Sequence, residues 1–98
     1  MEDQVARLVA RGFQARSFER YPGFLAVVRD GFVALLQPGE EGLKLFTAAG
    51  RLLGDQIGVR VIRGEAVCFQ AKGDEVTVDS EMDARYRQFC KELQGALL

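Results

Sequence analysis

Ninety-eight residues, 48% apolar and 28% charged, bound a single domain from residue 1 to 98 with one core, large enough to bury roughly two-thirds of its unfolded surface without metals or disulfides. The formal net charge is -1, because fourteen acidic residues offset thirteen basic ones, and no overall field draws the chain to nucleic acid or anionic lipid. The longest apolar runs, Phe24 to Val28 and Phe32 to Leu36, fall far short of the roughly twenty residues of a membrane-spanning helix, so no membrane partner is expected.

In chain order, the first element expected is a short helix over Asp3 to Arg11, with Val5, Leu8 and Val9 at helical spacing, acidic Glu2 and Asp3 at its positive end and Gly12 as its stop. Phe13 to Tyr21 alternates imperfectly, which suggests a bulge or an edge strand, and Tyr21-Pro22-Gly23 turns the chain. Phe24 to Arg29 and Phe32 to Gln37 flank Asp30-Gly31, a type I′ hairpin signal that sets Arg29 opposite Phe32. Leu25, Val27, Ala34 and Leu36 then share one face, and Phe24, Ala26, Val28, Val33 and Leu35 the other. Both faces are apolar. Such a hairpin lies either inside a closed, curved sheet or beneath a partner chain; self-association as a two-fold homodimer is expected, with barrel closure the competing account.

Gln37 to Gly42 is a polar loop and Leu43 to Phe46 a short strand. Thr47 to Gln56 is ambiguous, since Gly50 and Gly54 favour a loop or irregular hairpin while Thr47 to Leu53 admits one or two helical turns. Farther on, a three-residue loop Ile62-Arg63-Gly64 pairs Val61 with Glu65, and a turn at Gly73-Asp74 sets Lys72 across from Glu75. Ile57, Val59, Val61, Val67, Phe69, Val76 and Val78 then share a core face, with Arg60, Cys68, Gln70 and Thr77 on a wet face opposite. Ser80 is placed to cap a last helix, Glu81 to about Gln94, whose Met82, Tyr86, Phe89, Leu93 and Leu97 form one apolar stripe. The fold class expected is therefore α+β: a curved antiparallel meander of about six or seven strands flanked by an N-terminal and a C-terminal helix.

Chemistry-bearing patterns are sparse. Without histidine the chain lacks the commonest general base and metal ligand, and no spacing points to a metal or a cofactor. The glycines form neither GxGxxG after a strand nor a phosphate-binding loop. Asp30, Asp55, Asp74 and Asp83 stand in turns and caps, where turn and capping chemistry explains them. Cys68 and Cys90 make no disulfide framework, which fits a reducing compartment, and Met1-Glu2-Asp3-Gln4 lacks the pattern of a signal peptide; a cytoplasmic location is expected. Arg60, on the same sheet face as Cys68, is positioned to lower its pKa. Arg16, Arg20, Arg29, Arg51, Arg60 and Arg63 with Tyr21 are an arginine-aromatic set of the kind that contacts single-stranded nucleic acid, but the interleaved acids favour a solvated surface and no specific nucleic-acid binding. Arg60, Cys68, Arg51 and Tyr21 are the candidate ligand contacts. The function expected is a non-catalytic binding or protein-protein interaction module, the alternative being a small enzyme using a cysteine or carboxylate in the loops 37–42 and 47–56.

Overall fold

The structure, a computed structural model, describes residues 2–98. Helix α1 (Glu2–Ala10) is followed by eight strands, β1 (Gln14–Arg16), β2 (Leu25–Arg29), β3 (Phe32–Gly39), β4 (Gly42–Leu45), β5 (Gly50–Leu53), β6 (Gln56–Arg63), β7 (Ala66–Ala71) and β8 (Asp74–Thr77), and by helix α2 (Ser80–Leu97). Every ladder is antiparallel, in the order β1-β2-β3-β5-β6-β7-β8, with β4 paired to the far half of β3. This is the expected α+β architecture, a curved antiparallel sheet with a helix at each end of the chain. The ambiguous segment resolves as an irregular hairpin: Thr47 to Ala49 cross without regular structure and Gly50–Leu53 is a strand. Among the described residues no helix is long and apolar enough to cross a membrane.

The β2–β3 hairpin forms as its turn dictates. Asp30 and Gly31 both take positive φ, 53° and 82°, the geometry that matches the right-handed twist of the two strands, and Arg29 pairs with Phe32. Both faces of this hairpin are buried within the chain. On one, Val27, Phe32, Ala34 and Leu36 join Leu8, Phe13, Phe69, Phe89 and Leu93 in the main core. On the other, Ala26, Val28, Val33 and Leu35 are covered by Phe18, Tyr21, Phe24, Leu52 and Ile57. The irregular 17–24 segment folds back over the sheet there, because β1 is only three residues long and releases the chain early. The face from which a homodimer was inferred is thus covered without a second copy.

Both helices lie on the main-core face. The stripe of α2 is as expected, with Phe89 and Leu93 buried and Met82, Tyr86 and Leu97 packed at the margin. Its N-cap is Asp79 rather than Ser80: the Asp79 carboxylate accepts from the Met82 N–H at 2.7 Å. On α1, Leu8 is buried but Val9 is exposed. Val5 and Leu8 dock the short helix on the core, and polar side chains tie it to α2: Arg7 Nε donates to Ala96 O at 2.9 Å, and Arg11, just past the end of α1, pairs with the Glu92 carboxylate at 3.0 Å. The last turn of α2 has no basic residue of its own, so Arg7 of α1 supplies the cation that complements its dipole.

The register of the last three strands differs from expectation. Residues 64 and 65 form a two-residue turn, Arg63 pairs with Ala66 and Arg60 with Phe69. Gly64 takes positive φ in either loop, so the glycine alone could not decide the loop length. The shift flips β6: Arg60 and Ile62 share the helix-covered face with Val67 and Phe69, while Val59 and Val61 go to the opposite face with Cys68 and Gln70. At the next turn Ala71, not Lys72, pairs across, with Asp74, and Gln70 meets Glu75. That change moves the ladder by two residues and leaves the faces of β7 and β8 as expected.

Candidate functional site

The pairing of β3 creates an unusual feature. Leu36 pairs with Leu45 and Val33 with Gly50, so two β3 residues, Ala34 and Leu35, stand opposite four, Phe46 to Ala49. β4 and β5 are in effect one long strand interrupted by a wide bulge, anchored where Phe46 N–H donates to Leu35 O at 2.9 Å. Small residues Thr47, Ala48 and Ala49 form the crest. Hollows open on both sides of this strap.

On the helix side, a groove of about 520 Å³ runs between the strap and the C-terminal half of α2, lined by Leu45, Ala48, Cys90, Leu93 and Leu97 among others. Its polar groups are few. The Tyr86 hydroxyl is already used, donating to Ala49 O at 2.8 Å, which ties the strap to the helix. Burial, with the neighbouring Cys90 thiol adding to it, pushes the Tyr86 pKa up to about 12, the Arg60 guanidinium opposing. Burial also pushes the Cys90 thiol up. On the sheet side, a second cleft of about 270 Å³ lies between the strap and β6, with Tyr21, Leu35, Phe46, Ile57 and Arg60 in its wall.

Two of the four expected contact residues, Tyr21 and Arg60, therefore meet at one cleft. The other two do not join them. Arg51 stacks over the Phe32 ring at 5.2 Å and donates to Asp30 O at 3.2 Å, fastening the hairpin turn to β5. Cys68, expected on a wet face, is 4% exposed, paired across the sheet with Val61 and Thr77. Arg60 lies on the opposite face from Cys68, over the Tyr86 ring at 5.7 Å and 3.8 Å from Asp83, so it is not the cation that was expected to activate the thiol. The Glu75 carboxylate beside Cys68, together with burial, pushes its pKa up. Both thiols are thus biased toward the protonated, unreactive form. Among the described residues no three His, Cys, Asp or Glu side chains come together as a metal-binding group.

From sequence, the strap enters only as part of the 47–56 loop of the enzyme alternative, and Tyr86 and Cys90 are missed as parts of a site. The run Thr47-Ala48-Ala49-Gly50 was the available signal, a stretch of small residues between two strands. Comparison with known protein families, curated proteins and solved structures finds nothing that matches this chain.

Proposed function

We propose that the protein is a non-catalytic binding module that takes an apolar segment of a partner protein into the groove between the strap and α2. The observation that carries this reading is the groove itself: its volume lies within the roughly 300–1,000 Å³ of ligand sites, and its lining is almost wholly apolar. Leu45 and Leu98 stand exposed beside the strap and at the end of α2, extending the apolar surface beyond the groove as a macromolecular partner requires. The raised thiol pKa values favour binding over the thiol-enzyme alternative.

The test uses the uncharged apolar dye N-phenyl-1-naphthylamine and the variant Ala48→Trp, which fills the groove from an exposed position on the strap. Saturable fluorescence enhancement in the native protein that is lost in Ala48→Trp, yet kept in Lys72→Glu at the far end of the sheet, is the expected result. Enhancement that survives Ala48→Trp would overturn the assignment. Light scattering on the same samples tells whether the occupant is a second copy of the chain: a two-chain mass that falls to one chain in Ala48→Trp identifies the groove as a homodimer interface.

A further inference from the structure

The strap leaves part of the sheet unfinished, on the other side from the α2 groove. β5 pairs with β6 only as far as Arg51 opposite Gly58, and beyond that point the bulge carries the chain away. β6 continues for five more residues, Val59 to Arg63, paired to β7 alone. The two-residue turn at Gly64-Glu65 makes Arg63 and Ala66 a hydrogen-bonded pair, so Val59, Val61 and Arg63 exchange their main-chain bonds with β7. The N–H and C=O of Arg60 and Ile62 consequently point toward the strap. Among the described residues no main-chain bond crosses from the strap to either.

Sheets usually shield such an edge. The outer edge of β1 is three residues long and ends in Arg16, and that of β8 carries Asp74 and Glu75. The β6 edge instead exposes Val59 (61%) and Ile62 (70%). Its cations are poorly matched. Besides the Tyr86 ring beneath it, Arg60 reaches Asp83 at 3.8 Å, a carboxylate that Arg87 holds more closely, at 2.9 Å. Among the described residues, no carboxylate lies within salt-bridge distance of Arg63.

We propose that residues 59–63 of β6 are a docking edge for an extended acidic-apolar peptide segment, which adds as a strand beside the strap and completes the sheet. Main-chain bonds to Arg60 and Ile62 supply the affinity, and side chains at fixed positions supply the choice of partner. An antiparallel strand meets Arg63, Ile62, Val61, Arg60 and Val59 in that order, so its complement is acidic, apolar, apolar, acidic, apolar. A second copy of β6 fits badly, because each edge brings two arginines. The site is separate from the α2 groove, and either can fail without the other.

The probe is the capped peptide TEVVEVT, compared with TKVVKVT and with a TEVVEVT N-methylated at alternate residues, each titrated into isotope-labelled protein. The expected result is saturable binding of TEVVEVT, weaker by about tenfold or more for the lysine peptide at low salt, since two opposed charge pairs change sign, and absent for the N-methylated peptide. Amide exchange gives an independent reading: in the free protein Arg60 and Ile62 exchange quickly while Val59, Val61 and Arg63 are protected, and TEVVEVT slows the first two. Ile62→Pro removes an outward N–H and an exposed side chain of the edge, so this variant should fold and lose the peptide. Failure of TEVVEVT to bind at millimolar concentration, equal binding of the N-methylated peptide, or protection of Arg60 and Ile62 in the free protein would each overturn the proposal, as would binding retained by Ile62→Pro.

Discussion

Gln4 is the side chain on which three elements meet, and truncating it should cost more than its half-exposed position on α1 suggests. Its Nε2 donates to the Leu43 carbonyl at 3.1 Å and to the Leu97 carbonyl at 3.0 Å, and its Oε1 accepts from the Leu43 N–H at 2.8 Å. α1 is thereby stitched to β4 and to the end of α2. Gly42 makes the approach possible: at φ 111° it has no side chain where a Cβ would collide with Gln4 Oε1. Gln4→Ala removes three hydrogen bonds of about 0.5–1.5 kcal/mol each, roughly 1.5–4.5 kcal/mol together. The Leu97 carbonyl, at the end of a helix, can turn to water, which lowers the sum. Leu43 is only 3% exposed, so its orphaned N–H and C=O keep the loss in the middle of that range, at about 2–3 kcal/mol. For a domain of this size that corresponds to a fall in Tm on the order of 10–15 °C. Urea unfolding followed by circular dichroism should show a lower midpoint with an unchanged slope. Gln4→Glu keeps the acceptor but sets a carboxylate against two carbonyls, so it should do no better than alanine. A midpoint unchanged in Gln4→Ala, or a Gln4→Glu protein as stable as the native one, would refute this account of how α1 is held.

Phe32 is fully buried with ring centroids 5.6 Å from Tyr86, 5.9 Å from Phe89 and 6.0 Å from Phe69, so Phe32→Ala should destabilise by about 3–5 kcal/mol; a loss under about 1 kcal/mol in calorimetry would place the centre of the core elsewhere. Tyr86, raised from 10 to about 12 chiefly by burial, contributes stability that is complete below pH 10 and lost as pH rises through 12; in a Tyr21→Phe protein, where it is the only tyrosine left, its absorbance should titrate well above pH 10, and ordinary titration would contradict the burial of its ring. Cys68 and Cys90, both raised, should alkylate more slowly at neutral pH than free cysteine, and a fast-reacting thiol in the folded protein would return catalysis to consideration.

Most of the secondary structure could be read from local signals, and the misreadings have identifiable physical causes. Asp30-Gly31 specified its turn because two consecutive positive φ angles leave one hairpin geometry. Arg63-Gly64-Glu65 did not, since glycine at positive φ serves two loop lengths, and β6 carries apolar residues on both phases, Ile57, Val59 and Val61 on one and Ile62 on the other, so its hydrophobic pattern could not choose between them. The consequence reached the site: Arg60 moved from the face of Cys68 to the face of Tyr86, exchanging an expected role beside a thiol for one beside the strap. Tyr21 and Arg60, thirty-nine positions apart in the chain, converge only because the 17–24 segment folds back over the second face of the hairpin.

What the amino-acid order alone determined is whatever depends on neighbours a few residues apart: the β2–β3 register through its turn, the buried stripe of α2 through its 3.6-residue spacing, and the α+β class through their succession. Which layer covers each apolar face was decided by the tertiary structure. The hairpin's second face, from which a partner chain was expected, is covered by Phe18, Tyr21 and Phe24 of the same chain. The small residues Thr47 to Gly50 are only a weak local hint of the bulge at Phe46 to Ala49, because it is a mismatch between two pairings of β3 that are fixed at Leu36 and Val33 by separate strands. The groove, the cleft and the open β6 edge all follow from that mismatch, a property of how strands distant in the chain align.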